Sequence, residues 1–352
     1  MASSKEAGEF QKVMKLLILT KKYGRNFTGA TLATQYFVGF WSKAFEKIDV
    51  FTLQLGTFEN INNVKIHKCI SNRNLVQEIS NTIYREHYDL AYSDDHLGYL
   101  LSKLNIRYVH TYHGNWPDAR KVSFSNFIKS FYFIPCYRKT ITNATRVVNV
   151  SHYMETFTKQ FNPNSIVIRN GIDLKKENDY NPAPGNKFLM VGNVDRRKYE
   201  KAIELGKVLN CAHADIEIDV YGRIDDNKVA KKLSETQIFY LKGLVDAIPY
   251  GKYKGLINTS IIENLSISVC EAILNNIPVI CFNVGGLSEV VNPDTGVLVD
   301  NFNVSTMASY LLEYMKSPTR KLVIPDALQN FNWIAASNQY LAIFKNLIMN
   351  EY

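Results

Sequence analysis

From Met14 onward the chain alternates short apolar runs with longer stretches in which apolar residues recur every three or four positions. The short runs, at 14–19, 49–55, 90–93, 108–112, 146–150 and 165–168, are dense in Val, Ile, Leu and Tyr, which is how strands buried on both faces read. The longer ones, at 32–45, 75–85 and 121–142, keep the spacing of amphipathic helices. Strands that alternate with helices in this way predict a parallel sheet covered on both sides.

A polar, proline-containing stretch at 175–186 interrupts the series, and the series then restarts. Strands are expected at 187–192, 216–221, 238–241, 255–258, 278–282 and 296–299, with helices at 198–209, 226–233 and 266–274. The pattern therefore predicts an α/β protein of two Rossmann-like halves, one at 14–174 and one at 187–325. The last segment, 326–352, holds an amphipathic stretch with Trp333, Tyr340, Phe344 and Ile348 that needs an apolar surface to cover. Residues 1–13 are small and polar and read as a leader or appended remnant, with Met14 the natural start.

Composition agrees with two domains: 352 residues, 46% of them apolar, suffice for a large buried core. No apolar run approaches the ~20 residues that cross a bilayer, and the first residues lack the apolar core of a signal peptide. A cytoplasmic location is expected. Cys69, Cys136, Cys211, Cys270 and Cys281 are odd in number and widely spaced, so they read as reduced core thiols rather than a disulfide framework or zinc site. The net charge of +8 implies an anionic partner. No clustered RNA or DNA motif accompanies that charge, so nucleic acid is not the expected partner; a membrane surface and a phosphorylated substrate remain.

The most specific pattern is Glu263-Asn-Leu-Ser-Ile-Ser-Val-Cys-Glu271. Glu263 falls in a loop and Glu271 on the helix that follows, so a helix start lies between two carboxylates. Free amides at Leu265 to Ser268 would attract a phosphate, and the carboxylates on either side would accept hydrogen bonds from sugar hydroxyls. Such an arrangement suits a nucleotide-sugar. Two glutamates at this spacing, taken alone, are more often solvated helix charges.

Several further segments change that weighing. The element resembles the E-x7-E signature of the family 4 glycosyltransferases of GT-B architecture. Gly192-Asn-Val-Asp-Arg-Arg-Lys198, Val220-Tyr-Gly222, Leu241-Lys-Gly243 and Asn283-Val-Gly-Gly-Leu-Ser-Glu289 followed by Gly296-Val-Leu-Val are similar to later segments of that family's second domain. Asn170-Gly-Ile-Asp173 and Thr111-Tyr-His-Gly114 resemble segments of its first domain, and Phe331-Asn-Trp333 the start of its final helix, which crosses back onto the first domain.

The resemblance implies two Rossmann-like domains with parallel sheets facing across a cleft, the first for the acceptor and the second for the nucleotide-sugar. It implies that Glu271 holds the ribose and Glu263 a hydroxyl of the transferred sugar, beside Asn264. Lys198, with Arg196 or Arg197, would neutralise the leaving diphosphate, and the amides of Leu265 and Ser266 would bind its distal phosphate. Gly243 and Leu244 would lie against the base. The family usually has Arg directly after the glycine, where this chain has Asn193 after Gly192. In the first domain, Gly24-Arg-Asn-Phe-Thr-Gly29 would close over the donor phosphate, although an ordinary turn is as good a reading of two glycines. His113 ends a parallel strand, where ligands of open α/β sheets bind, and joins Glu263 and Lys198 as a catalytic candidate; a satisfied structural histidine is the alternative. Asp94, Asp95 and His96 are candidates for the acceptor or for a helix cap.

Cations and helix amides aimed at the leaving group take the place of a metal in this reading, and no convincing Asp-x-Asp occurs: Asp94-Asp95 and Asp225-Asp226 are adjacent pairs and Glu217-Ile-Asp219 lies in a strand. Neither a metal nor another cofactor is expected. The family implies retention of configuration and a UDP-sugar donor, with a glycan, glycolipid or glycoprotein acceptor left open among them. The stretch from Arg120 to Lys139 mixes aromatic and basic residues; it reads as a helix buried along one face or, more sharply, as an element held against an anionic membrane on its inner face. A non-catalytic partner subunit and a nucleotide-sugar epimerase of the same architecture are the competing readings.

Overall fold

The computed structural model of the protein describes residues 14–25, 27, 29–172, 185–318 and 321–349. The leader at 1–13, Asp173, and most of the linker at 175–186 lie outside them.

The first domain runs β1 (Lys15–Tyr23), α1 (Gly29–Trp41), β2 (Lys47–Leu55), β3 (Val64–Lys68), α2 (Asn72–Arg85), β4 (Leu90–Ser93), α3 (Tyr99–Lys103), β5 (Tyr108–Tyr112), α4 (Trp116–Ala119), α5 (Phe124–Asn143), β6 (Arg146–Asn149), α6 (His152–Thr158) and β7 (Ser165–Val167). The second runs β8 (Lys187–Val191), α7 (Arg196–Cys211), β9 (Glu217–Tyr221), α8 (Asn227–Glu235), β10 (Phe239–Gly243), β11 (Gly255–Asn258), α9 (Ile267–Leu274), β12 (Val279–Phe282), β13 (Gly296–Val299) and α10 (Val304–Lys316). A final helix, α11 (Trp333–Met349), follows.

Both sheets are parallel, in the orders β3-β2-β1-β4-β5-β6-β7 and β10-β9-β8-β11-β12-β13. Strand order therefore reverses between β1 and β4 in one domain and between β8 and β11 in the other. Crevices at such reversals, beyond the carboxyl ends of the strands, are where open α/β sheets bind ligands. These are the two Rossmann-like halves expected from the apolar runs.

Helix α11 covers the first domain. Trp333, Ala336, Tyr340, Phe344 and Ile348 form its buried stripe and pack with Phe37 and Trp41 of α1. The Trp41 ring meets Phe344 at 4.9 Å and Tyr340 at 5.4 Å, and the Tyr340 hydroxyl hydrogen-bonds to Thr111 Oγ1 at 2.8 Å. Each such fully buried aromatic contributes about 1.5–3 kcal/mol, so the crossing helix is bound to the first domain. The expected boundary at 326 moves. Leu328 and Phe331 pack in the core of the second domain, and the crossing begins at Asn332, which bridges to Ile172.

Four features differ from the expectation. Strand β3 escapes the apolar pattern because it is an edge strand that alternates Val64 and Ile66 with Lys65, His67 and Lys68. Helix α10, buried through Val304, Met307, Ala308 and Leu311, was not expected either. The helix expected at 121–142 starts only at Phe124, because Ser123 caps it there by accepting from the Asn126 amide. Of the five thiols, all free, Cys136 is half-buried and Cys211 exposed, so only Cys69, Cys270 and Cys281 are core residues.

Candidate active site

The E-x7-E segment lies where the second sheet reverses, at the end of β11. Ser266 is the N-cap of α9, yet its side chain caps nothing; its hydroxyl instead meets those of Ser268, at 3.1 Å, and the Asn258 amide. Among the described residues, the backbone amides of Leu265 to Ser268 find no acceptor. Unpaired donors at a helix start carry partial positive charge and suit an anion. The two glutamates flank this point. Glu271 Oε2 accepts from the buried Tyr250 hydroxyl at 2.7 Å, and Glu263 Oε1 accepts from Lys198 Nζ at 3.0 Å.

Local bonds hold Lys198 there. Asp195 caps α7 by accepting from the Lys198 amide at 2.9 Å, while the Lys198 carbonyl takes the Thr259 hydroxyl at 2.6 Å and the Arg197 carbonyl the Ile261 amide at 3.2 Å. The start of α7 and the loop before α9 are thus tied together. The lysine side chain runs across Gly192: a Cβ there would sit 2.9 Å from Lys198 Cδ, and the backbone φ of +143° also selects glycine. Burial pushes the Glu263 carboxyl up, but Lys198, then Arg197 and the Ser260 hydroxyl, outweigh it and hold it below its ordinary value.

The loop of Glu263 is shaped from behind by Gly285, at φ +58°, where a Cβ would lie 1.7 Å from the Glu263 carbonyl oxygen. Asn264 reaches the other domain, donating to the His113 carbonyl at 2.7 Å. Glu289 makes a second tie, to Arg169 Nη2 at 2.6 Å and the Tyr153 amide at 3.0 Å. The His113 ring lies just past β5, and its Nε2 is enclosed with no partner among the described residues. Burial lowers it to about 4, so the imidazole is neutral at physiological pH and can offer a hydrogen bond without charge.

The remaining candidates divide. Arg196 is exposed and committed to Glu200, at 2.8 Å, whereas Arg197 is the arginine whose charge reaches Glu263. Asn193 donates to Asp225, itself paired with Arg223. Gly243 has φ +73° with open space beyond, and Leu244 beside it is 73% exposed, a bare apolar surface at the sheet edge. Gly29 opens α1, while Asn26 and Thr28 of its loop lie outside the described residues.

Asp94, Asp95 and His96 differ in how far their polar atoms are already engaged. Asp95 is a cap, its carboxylate accepting from the Leu97 amide at 2.8 Å and from the Lys21 amide. His96 is boxed edge-on by Tyr132, Phe133 and Tyr137 and is lowered to about 4 by burial and then by Lys21. Asp94 accepts from Thr34 Oγ1 at 2.5 Å through one oxygen; the other is buried without a partner among the described residues. Burial, then the charge of Asp95, raises Asp94 to about 7. Tyr250 and Arg169 were not foreseen, since they meet Glu271 and Glu289 only through tertiary contacts, and Ser260, three residues before Glu263, was not foreseen either.

The family model for Glycosyltransferase Family 4 matches residues 57–176, and that for Glycosyl transferases group 1 matches residues 173–327. No curated protein matches the chain. Among solved structures, sucrose-phosphate synthase from Thermosynechococcus elongatus is similar at 17% identity, over 96% of this chain and 100% of that one, with a TM-score of 0.78. The Anabaena protein HepE, solved with UDP and glucose, is 16% identical over 94% and 99% of the two chains, with a TM-score of 0.72. A lipopolysaccharide outer core galactosyltransferase, WaaB, solved in its apo form, is 15% identical over 96% and 100%, with a TM-score of 0.69.

Proposed function

Because the chain belongs to the family 4 glycosyltransferases of GT-B architecture, we propose that it moves a hexose or N-acetylhexosamine, with retention, from a UDP-sugar to a cell-surface glycan, glycolipid or glycoprotein. The observation that carries this is the uncapped start of α9 between Glu263, held by Lys198, and Glu271, held by Tyr250. The α9 amides, Lys198 and Arg197 take the diphosphate, Glu271 the ribose and Glu263 a sugar hydroxyl, while Leu244 supports the base. As the bond from the anomeric carbon to phosphate breaks, these fixed positive groups stabilise the departing charge. The acceptor hydroxyl forms the new bond on the same face and passes its proton to the leaving phosphate oxygen. Neutral His113 contacts the sugar from the first domain, and Asp94 lies on the acceptor side. Positive charge at this site comes from side chains and amides, so no metal is assigned to it. UDP is chosen because relatives such as HepE were solved with it.

The test is a panel of UDP-, GDP-, ADP- and CMP-sugars, read by thermal shift and by slow donor hydrolysis with and without EDTA. At a hundredfold excess over Kd a single donor adds about 2.7 kcal/mol, which is a rise of several degrees in Tm. Stabilisation by UDP-sugars and hydrolysis indifferent to EDTA are expected; a strict metal requirement would refute the metal-free mechanism. Asn193, standing where the family has Arg, favours the competing reading of a non-catalytic partner subunit, and silence toward every donor would establish that reading instead. Release of an isomerised free sugar would identify an epimerase.

A peripheral contact with the inner face of an anionic membrane belongs to the same proposal. Helix α5 turns Phe124, Phe127, Ile128 and Phe131 outward on one face, with Phe124 80% and Phe131 67% exposed, and Lys121 and Lys129 stand beside them. Apolar residues flanked by lysines suit the interface of an anionic bilayer. Replacing Phe124 and Phe131 together by Ser is expected to weaken sedimentation with phosphatidylglycerol vesicles at least roughly 100-fold, from the lower end of about 1.5–3 kcal/mol for each buried aromatic, and to leave donor hydrolysis unchanged. Equal sedimentation of the variant would remove the membrane assignment.

A further inference from the structure

A cavity of about 250 Å³ opens on the first domain between α1 and the loop after β2. It is too small for a nucleotide, since pockets for drug-sized ligands begin at about 300 Å³. Three features of its lining point to a sugar ring. Tyr36 and Phe40 of α1, with Tyr23 of β1, give aromatic surfaces, and Arg25, Glu59 and Lys43 place charged hydrogen-bonding groups among them. Arg25 and Glu59 pair at 2.8 Å on the exposed side. Alternating aromatic and charged groups match a pyranose, whose C–H face is apolar and whose edge is ringed with hydroxyls.

The second feature is Gln35. Its Oε1 is enclosed and has no partner among the described residues. An acceptor left unpaired in a protein interior costs about 1–3 kcal/mol, and here it lines a space that a hydroxyl donor would enter. The third is Gly39, which lies within α1 and lines the same space. A Cβ at this position would meet nothing within 4 Å, so packing does not call for glycine, although glycine within a helix costs about 1 kcal/mol relative to Ala. What its absent side chain provides is room.

The place also fits. Arg25 follows the carboxyl end of β1, on the same edge of the sheet as His113 at the end of β5, so the Arg25 end of the groove lies on the edge where the strands present their ligand-binding loops. We propose that the groove is a saccharide subsite that holds one pyranose unit of the acceptor glycan, remote from the reacting hydroxyl. This assignment deepens the transferase reading and rests on it.

Protein with labelled Leu and Ile methyl groups, saturated with UDP to occupy the donor site, would be titrated to high millimolar concentration with methyl α-glucoside, methyl β-galactoside, methyl α-mannoside and methyl N-acetyl-α-glucosaminide. At least one glycoside is expected to shift the methyl signals of Leu32 and Ile61, which line the groove. Gly39→Phe fills the space and is expected to weaken that response at least 10-fold, and Gln35→Leu, which keeps the shape, several-fold. UDP stabilisation should be unchanged in both variants. Wild-type signals that stay still with all four glycosides, or shifts equally large in Gly39→Phe, overturn the subsite. Failure of UDP to bind the wild type would instead sink the transferase reading, and the two failures are read from separate signals.

Discussion

Replacing Lys198 by Ala is expected to lower turnover of the donor about 10²–10³-fold, the usual loss when one preorganised donor to a developing negative charge is removed. Lys198 is paired with Glu263, and the two side chains are only 20% and 12% exposed. In the proposed reaction a diphosphate takes over the ammonium and a sugar hydroxyl the carboxylate. Removing the lysine also leaves Glu263 half-compensated by Arg197, and an unpaired buried carboxylate destabilises the fold. A double change, Lys198→Ala with Glu263→Gln, separates the effects: it should recover the lost Tm while turnover stays low. Steady-state kinetics and melting curves on the three proteins decide the matter, and near-native turnover in Lys198→Ala would sink the leaving-group role. Because Glu263 sits below its ordinary value in the folded state, the pair's contribution is present at neutral pH and lost as pH falls through that depressed value.

The sequence made the strand and helix alternation visible because both sheets are parallel and buried on both faces, so their strands read as unbroken apolar runs. Edge strand β3, with charged residues on alternate positions, left no such run. The motif segments were legible for a related reason: they occupy the loops at the carboxyl ends of β8, β10, β11 and β12, which the alternation brings to one edge. Side-chain direction within a segment was not legible. Arg196 and Arg197 are neighbours in sequence, but consecutive residues of a helix point about 100° apart, and only the fold shows that Arg196 turns to Glu200 while the charge of Arg197 reaches Glu263. Asp95 likewise shows its capping role only once the amides of Leu97 and Lys21 are in place around it. Tyr250, in the loop before β11, has no local signal at all; its part follows from a contact across the domain interior.

That contact shapes the second large effect. Replacing Glu271 by Ala is expected to raise the Kd for UDP about 10- to 100-fold, since hydrogen bonds to a charged group contribute about 1.5–3 kcal/mol and about 1.4 kcal/mol is tenfold in affinity. The change also strands the buried Tyr250 hydroxyl, which now donates to Glu271 at 2.7 Å. Thermal stability will therefore fall for a reason unrelated to the ligand, and affinity has to be measured directly by calorimetric titration. Tyr250→Phe supplies the control: it removes the tyrosine's half of the bond and keeps the carboxylate, so its effect on affinity should be several-fold at most. The two glutamates then part company by ligand. If Glu271 holds the ribose, its loss weakens UDP and UDP-sugar by the same factor; if Glu263 holds the sugar, Glu263→Ala weakens only the UDP-sugar. Unchanged UDP affinity in Glu271→Ala would move the nucleotide away from α9, and with it the assignment of the uncapped amides at Leu265 to Ser268.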